Sequence, residues 1–395
     1  MHESPRFSVL IPTRNRAETL SYTLASCLDQ DFQDYEIVVC DNFSDPQTKA
    51  VVDAANSPKL RYVRSARPLF MSDNWELAVS HARGRYITLI GDDDGLMPYA
   101  LRELDRVASL NQDPPAIHWH RAIYAWPDIA VPDDANFLRI PMGRAIQHHN
   151  SRQQLLRFTR YELGADMLPM IYNSIIRRDV LEILKDKAGR VFSGVYPDIY
   201  SGFAIAYIAA GYMTLTVPMH IAGLGGKSTG VSTLMRTTRS NDLVEEFELL
   251  RKAAGFTLHP TTPKKLLSAA YPEDAFQTAK QLLFPDDVEL CLNRKEAVRR
   301  WLRSIPTADP KKLRGILRSI RDSLSDQPDL QAWFDTQTSG IGSAPLLRMK
   351  PKKFGFDGQT LTVNTAPLGV RDVRAAVQLA TKILGLYDSP LEYDL

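Results

Sequence analysis

Residues 86–95 read YITLIGDDDG, and the architecture of the chain follows from them. Tyr86 to Ile90 is a short, β-rich apolar run closed by a glycine, which predicts a buried strand. Asp92, Asp93 and Asp94 then fall on the turn at its carboxyl end, between Gly91 and Gly95. In sheets built from alternating strands and helices, ligands sit beyond the carboxyl ends of the strands. A solvated acidic turn would explain the three aspartates in isolation. Their neighbours argue for more.

Upstream, residues 7–11 (FSVLI), 36–40 (EIVVC) and 60–64 (LRYVR) are further strand-like runs. Leu20, Leu24, Cys27 and Leu28 recur between them at helical spacing, Asp45-Pro46 is a helix-start signal, and Trp75 to His81 is a third periodic segment. The alternation predicts an α/β fold with a mostly parallel, Rossmann-like central sheet and helices on both faces. Downstream, AIHWHRAIY reads as a strand, and helical patterns return near 151–163 and 176–187. From Ile199 to Gly226 no Asp, Glu, Lys or Arg occurs. Pro218, His220 and several glycines interrupt that stretch, so a buried helix followed by a strand is expected rather than a membrane span.

Hard cations such as Mg2+ or Mn2+ prefer oxygen ligands and leave positions open for substrate phosphates, so paired carboxylates on a strand end suit a metal with a phosphorylated ligand. GLGGKSTG (223–230) offers backbone N–H groups with Lys227 and Ser228, a cradle for a diphosphate. A triphosphate P-loop would need glycine at 221, where Ile221 stands.

Motifs in three successive stretches resemble family 2 glycosyltransferases, which have the GT-A fold. FSVLIPTRNR is similar to that family's first strand and its Pro-Thr-x-Asn turn, and EIVVCDNFSD to its second strand and acidic turn. NWELAVSHARGRYITLIGDDDGLMP is similar to its Asn, Ala-x-Gly, strand, Asp-Asp and Pro segment. The resemblance covers about residues 5–100 well and 190–230 loosely. It implies that Pro12, Thr13 and Arg14 line a nucleotide pocket and that Asp41 accepts a hydrogen bond from the base. Asn74 would lie by the nucleotide, and Arg67 would touch base or phosphate. Asp94 would ligate Mn2+ or Mg2+, with Asp92 and Asp93 shared between metal and ribose and His220 as a further ligand. In GVYPDIYSGFAIAY, Asp198 would be the base for an inverting transfer. The competing roles are a turn cap for Asp41 and helix caps for Asn74 and Asp198.

The implied activity moves a sugar from a nucleotide-sugar donor, a UDP-sugar, to a glycan or lipid-linked acceptor in polysaccharide synthesis. The alternatives are a non-catalytic nucleotide-sugar-binding module and a sugar nucleotidyltransferase. IPTRNR lacks the glycines that the latter, or a dinucleotide-binding oxidoreductase, would carry after strand one.

The chain has 395 residues, 44% hydrophobic and 24% charged, with a formal charge of +2. That length suggests a catalytic domain over 1–240 and a mainly helical accessory domain over 241–395. So slight a charge argues against a nucleic-acid partner. The three cysteines form no C-x-x-C pair, and the apolar run after MHESPRF is too short for a signal peptide, so a cytoplasmic location is expected. The basic amphipathic helices after 240 would dock the acceptor, a second copy of the chain, or the inner membrane face as a peripheral contact.

Overall fold

The computed structural model describes residues 4–129, 135–226, 241–265, 268–305, 309–339 and 354–385. Strands β1 (Phe7–Thr13), β2 (Tyr35–Asp41), β3 (Leu60–Arg64) and β4 (Tyr86–Leu89) pair in parallel in the order β3-β2-β1-β4. The crossovers are helices α1 (Ala17–Leu28), α2 (Pro46–Ala55) and α3 (Met71–Ser80). Side chains alternate between sheet faces. Val9, Ile11, Ile37 and Val39 pack with Leu20, Leu24 and Val52 of α1 and α2, while Leu10, Val38 and Cys40 pack with Trp75 and Ala78 of α3. Burial on both faces is why β1 and β2 read as unbroken apolar runs.

The chain continues through β5 (Gly95–Leu96), α4 (Ala100–Leu110), β6 (Ala116–Trp119), β7 (Ala122–Ala125), β8 (Phe137–Pro141), β9 (Ile146–Asn150) and α5 (Ser151–Thr159). It goes on through β10 (Ser174–Arg177), α6 (Arg178–Ala188), α7 (Pro197–Ile208), β11 (Gly211–Leu215) and β12 (His220–Leu224). The central sheet has the order β3-β2-β1-β4-β10-β6-β11-β9. β10 runs antiparallel between β4 and β6, and β9 antiparallel to β11, so the sheet is mixed, with its other six strands running in one direction as expected. The uncharged stretch forms the expected buried helix and strand, α7 and β11. The run AIHWHRAIY, expected as one strand, breaks at His120-Arg121: β6 stays in the central sheet and β7 crosses to a second one. That break leaves Arg121 at the junction of the two sheets.

The C-terminal region adds helices α8 (Asn241–Ala253), α9 (Tyr271–Leu283), α10 (Arg294–Arg303), α11 (Pro310–Asp322) and α12 (Pro328–Thr338). Trp301, Leu313, Ile320 and Phe334 give part of it a core of its own. The last elements, hairpin β13 (Gly355–Phe356) and β14 (Thr360–Asn364) and helix α13 (Val373–Leu384), return to the first half. They complete a second sheet of order β13-β14-β8-β7-β12-β5, and α13 lays Val373, Ala376, Val377 and Ala380 on the core containing α1. Gly95 must be glycine for this: a Cβ there would lie 2.6 Å from a Val377 methyl. No helix among the described residues is long and apolar enough to cross a membrane.

One buried acid in α9 gives the fold a pH dependence. Glu273 is 4% exposed; its Oε1 accepts from the Tyr161 hydroxyl at 3.0 Å and its Oε2 has no partner. Burial pushes its carboxyl from 4.5 up to about 7. The folded state therefore holds this proton where the unfolded chain has lost it. The contribution is fully favourable below about pH 4.5 and is lost as the pH rises to about 7, a change of roughly 3 kcal/mol. Asp274, raised to about 6 by burial, acts in the same sense. We expect Glu273→Gln to flatten this loss between about pH 5 and 8 in urea-unfolding midpoints; an unchanged pH profile would contradict the assignment.

Candidate active site

The turn after β4 places its three carboxylates in three different settings. Asp94 is fully buried; its Oδ2 accepts from the Gly91 N–H and its Oδ1 from the Gly223 N–H, both at 2.7 Å, and the Tyr172 hydroxyl also donates to it. The approach of β12 is so close that a Cβ on Gly223 would lie 1.9 Å from the Asp93 carbonyl oxygen. Asp92 accepts from the Thr13 hydroxyl at 2.7 Å and from the Arg16 guanidinium at 2.9 Å. Asp93 has Arg16 nearby, at 3.7 Å, and its buried Oδ2 has no hydrogen-bond partner. Burial pushes the Asp93 carboxyl up to about 8, with Arg16 opposing and the two neighbouring aspartates adding to the rise. Asp93 borders a cavity of about 290 Å³ lined also by Asn15, Arg16, Asp45 and Gly225.

A metal cage built from Asp94, Asp92 and His220 is not assembled. Among the described residues no group of three or more His, Cys, Asp and Glu side chains is placed to hold an ion. Asp94 and Asp92 have both oxygens engaged, as above. His220 is fully buried, and the Trp119 indole N–H donates to its Nδ1 at 2.7 Å. A neutral ring with Nδ1 accepting carries its proton on Nε2, which then donates rather than ligates. A magnesium-type ion shared with a nucleotide needs only one or two carboxylates, the remaining ligands being phosphate oxygens and water. The orphaned Asp93 Oδ2 fits that smaller demand.

At the other sequence-predicted positions the structure is more conservative. The Asp41 carboxylate accepts from the Ser44 N–H at 2.8 Å and from the Tyr62 hydroxyl, with Arg64 at 3.5 Å, so it caps its own turn. Asn74 lies within α3, whose N-cap is Phe70, and its side chain accepts from the Cys40 thiol. Arg14 donates to the Asn42 carbonyl at 2.6 Å and pairs with Glu246 of α8, which lays Phe247 on Phe70. Pro12 and Thr13 end β1 beside the triplet, whereas Arg67 is exposed in the loop after β3. Lys227 and Ser228 lie outside the described residues. Asp198 sits in the first turn of α7, just after Pro197 at the helix start, half-buried. Burial pushes its carboxyl above the ordinary range, while the Ile199 N–H and the Arg121 charge pull it down.

Three side chains at this centre carry no sequence signal of their own. Tyr172, on the 3-10 turn 171–173, stacks on Trp75 with centroids 6.4 Å apart, and burial with the adjacent Asp94 and Asp93 charges holds its hydroxyl protonated. Arg121 lies over the Tyr172 ring at 5.8 Å, and its charge acts on Asp94, Asp198 and His220 alike. Arg16 is the third. It stands in the IPTRNR motif, but only the contact with Asp92 shows which of the two arginines there faces the acids.

Residues 8–183 match the model described as glycosyl transferase family 2. This chain carries a family 2 glycosyl transferase domain. A Campylobacter jejuni GalNAc(5)-diNAcBac-PP-undecaprenol beta-1,3-glucosyltransferase is 31% identical over 115 residues, 27% of this chain and 35% of that one. The putative colanic acid biosynthesis glycosyl transferase WcaA of Escherichia coli is 31% identical over 103 residues, 26% and 37% of the two chains. A UDP-Glc:alpha-D-GlcNAc-diphosphoundecaprenol beta-1,3-glucosyltransferase, WfgD, also from Escherichia coli, is 25% identical over 87 residues, 22% and 34%. The aligned parts span about a third of the length of these curated relatives. The family 2 domain includes the aspartate triplet, Tyr172 and Arg121, and ends before Asp198.

Proposed function

We propose that this chain is an inverting glycosyltransferase that moves a sugar from a UDP-sugar to a hydroxyl of a glycan or lipid-linked acceptor. The observation that carries the reading is the setting of Asp94, which accepts from Tyr172 beneath Arg121, whose charge acts on both Asp94 and Asp198, next to and within a family 2 domain. Two relatives named for undecaprenol-diphosphate-linked glucosyl transfer, one of them with UDP-glucose as donor, favour the lipid-linked acceptor and this nucleotide. Residues 1–240 would form the catalytic part. The basic helices beyond would touch the inner membrane face, where such an acceptor resides, or a second copy of the chain.

In this reading Asp198 takes the proton of the acceptor hydroxyl as that oxygen bonds to the anomeric carbon. The bond from that carbon to the diphosphate oxygen breaks, and its electron pair leaves with the nucleoside diphosphate. A carboxyl raised by burial is a stronger base than an ordinary carboxylate. Arg16 orients Asp92 and Asp93 beside the leaving diphosphate, and Tyr172 holds Asp94 in place. A divalent cation at Asp93, when bound, would supply positive charge to the departing phosphates.

A thermal-shift panel of UDP-, GDP- and dTDP-sugars, each with and without manganese, tests the reading. We expect the UDP-sugars to raise Tm most, and more with manganese. No shift with any nucleotide sugar would contradict it.

A further inference from the structure

We propose that Arg121 binds the diphosphate of the sugar donor, at the phosphate joined to the transferred sugar. This assignment rests on the donor reading above and adds a residue that the chemistry so far leaves unused.

The geometry starts from the break between β6 and β7. Two strands of one run enter different sheets, and the residue at the crossing is an arginine. Its guanidinium is half-buried and makes no hydrogen bond or ion pair among the described residues; it packs on the Tyr172 ring at 5.8 Å. Tyr172 in turn touches Asp94 through its hydroxyl and His220 through its ring, with centroids 5.9 Å apart. Arg121 therefore stands among acids without pairing to any of them. Asp94 is already taken up by two backbone N–H groups and Tyr172, and no ion pair forms with Asp198 among the described residues.

A guanidinium offers five donors in a fixed fork. Held half out of water with none of them met in the protein, these donors are open to water or to an anionic ligand. The fork matches the oxygens of phosphate or carboxylate, and phosphate is the anion that this reaction brings. Position selects which phosphate. The anomeric carbon must lie between the base and the leaving group, hence between Asp198 and the triplet. Arg121 lies over the ring of Tyr172, whose hydroxyl donates to Asp94, and this places it on the side of the phosphate at the bond that breaks. There it receives the charge that appears on the departing oxygen. Asp93 Oδ2 and His220 Nε2 are two further buried polar atoms near the same centre without a hydrogen-bond partner.

Calorimetric titration of wild type, Arg121→Met and Arg121→Lys tests this with three probes: UDP, uridine and a water-soluble prenyl diphosphate. We expect Arg121→Met to weaken UDP roughly ten- to hundredfold, with uridine unchanged and Tm not lowered. Arg121→Lys, keeping the charge without the fork, should recover part of the loss. Equal UDP affinity in wild type and Arg121→Met would overturn the assignment alone. So would a loss confined to the prenyl diphosphate, which would place the acceptor's diphosphate there instead. Wild-type protein that binds no nucleoside diphosphate would overturn the donor reading and this assignment together.

Discussion

Asp198→Asn is expected to lower kcat by roughly a hundred- to ten-thousandfold, the usual worth of a general base, while UDP still binds. Asparagine keeps the shape at the first turn of α7 and loses only the ability to accept a proton. The Ser201 hydroxyl donates to the backbone carbonyl of Asp198, at 2.6 Å, so this bond at the helix start does not depend on the carboxylate. A helix-capping role predicts the opposite pattern, a lower Tm with kcat unchanged. Because burial raises this carboxyl, the acid limb of the wild-type pH–rate profile should lie above the ordinary carboxylate range. Full activity in Asp198→Asn would remove it from the mechanism.

The second large effect separates two neighbouring aspartates. Asp94→Ala leaves the buried N–H groups of Gly91 and Gly223 and the Tyr172 hydroxyl without their acceptor. Each such loss costs about 1–3 kcal/mol, so the variant should lose on the order of 4 kcal/mol in urea unfolding. UDP binding should fall with it, because Gly223 and the β12 edge are no longer held to the turn. Asp93→Asn should behave in reverse. It removes a buried acid whose ionised form is disfavoured, so stability holds or rises, while the manganese-dependent part of UDP binding is lost. Equal stability of the two variants would contradict a structural role for Asp94 and a ligand-facing one for Asp93.

The placement of the candidate residues was legible in sequence where they lie at the end of a strand or the start of a helix. YITLIGDDDG placed the triplet at the carboxyl end of β4, and the proline before Asp198 marked the start of α7. What could not be read was the pairing across distance. The Gly223 N–H that fixes Asp94 comes from 129 residues away, so no local pattern distinguishes a held aspartate from a free one. The same reason misdirected His220, whose tautomer is set by Trp119, 101 residues distant. Arg121 was hidden differently. Its run has the composition of a single strand, and only sheet pairing shows the break that exposes it. The mixed sheet was equally invisible, since an inserted antiparallel β10 leaves the alternation of strands and helices unchanged.

All of these roles depend on a nucleotide-sugar donor binding beside Asp92, Asp93 and Asp94. The decisive experiment follows release of UDP from UDP-sugars by the wild-type protein, in a coupled assay with and without manganese. Slow, manganese-stimulated release is expected without acceptor, lost in Asp198→Asn and Asp93→Asn alike. Release that persists undiminished in both variants, or its absence with every nucleotide sugar offered, would refute donor binding at the triplet.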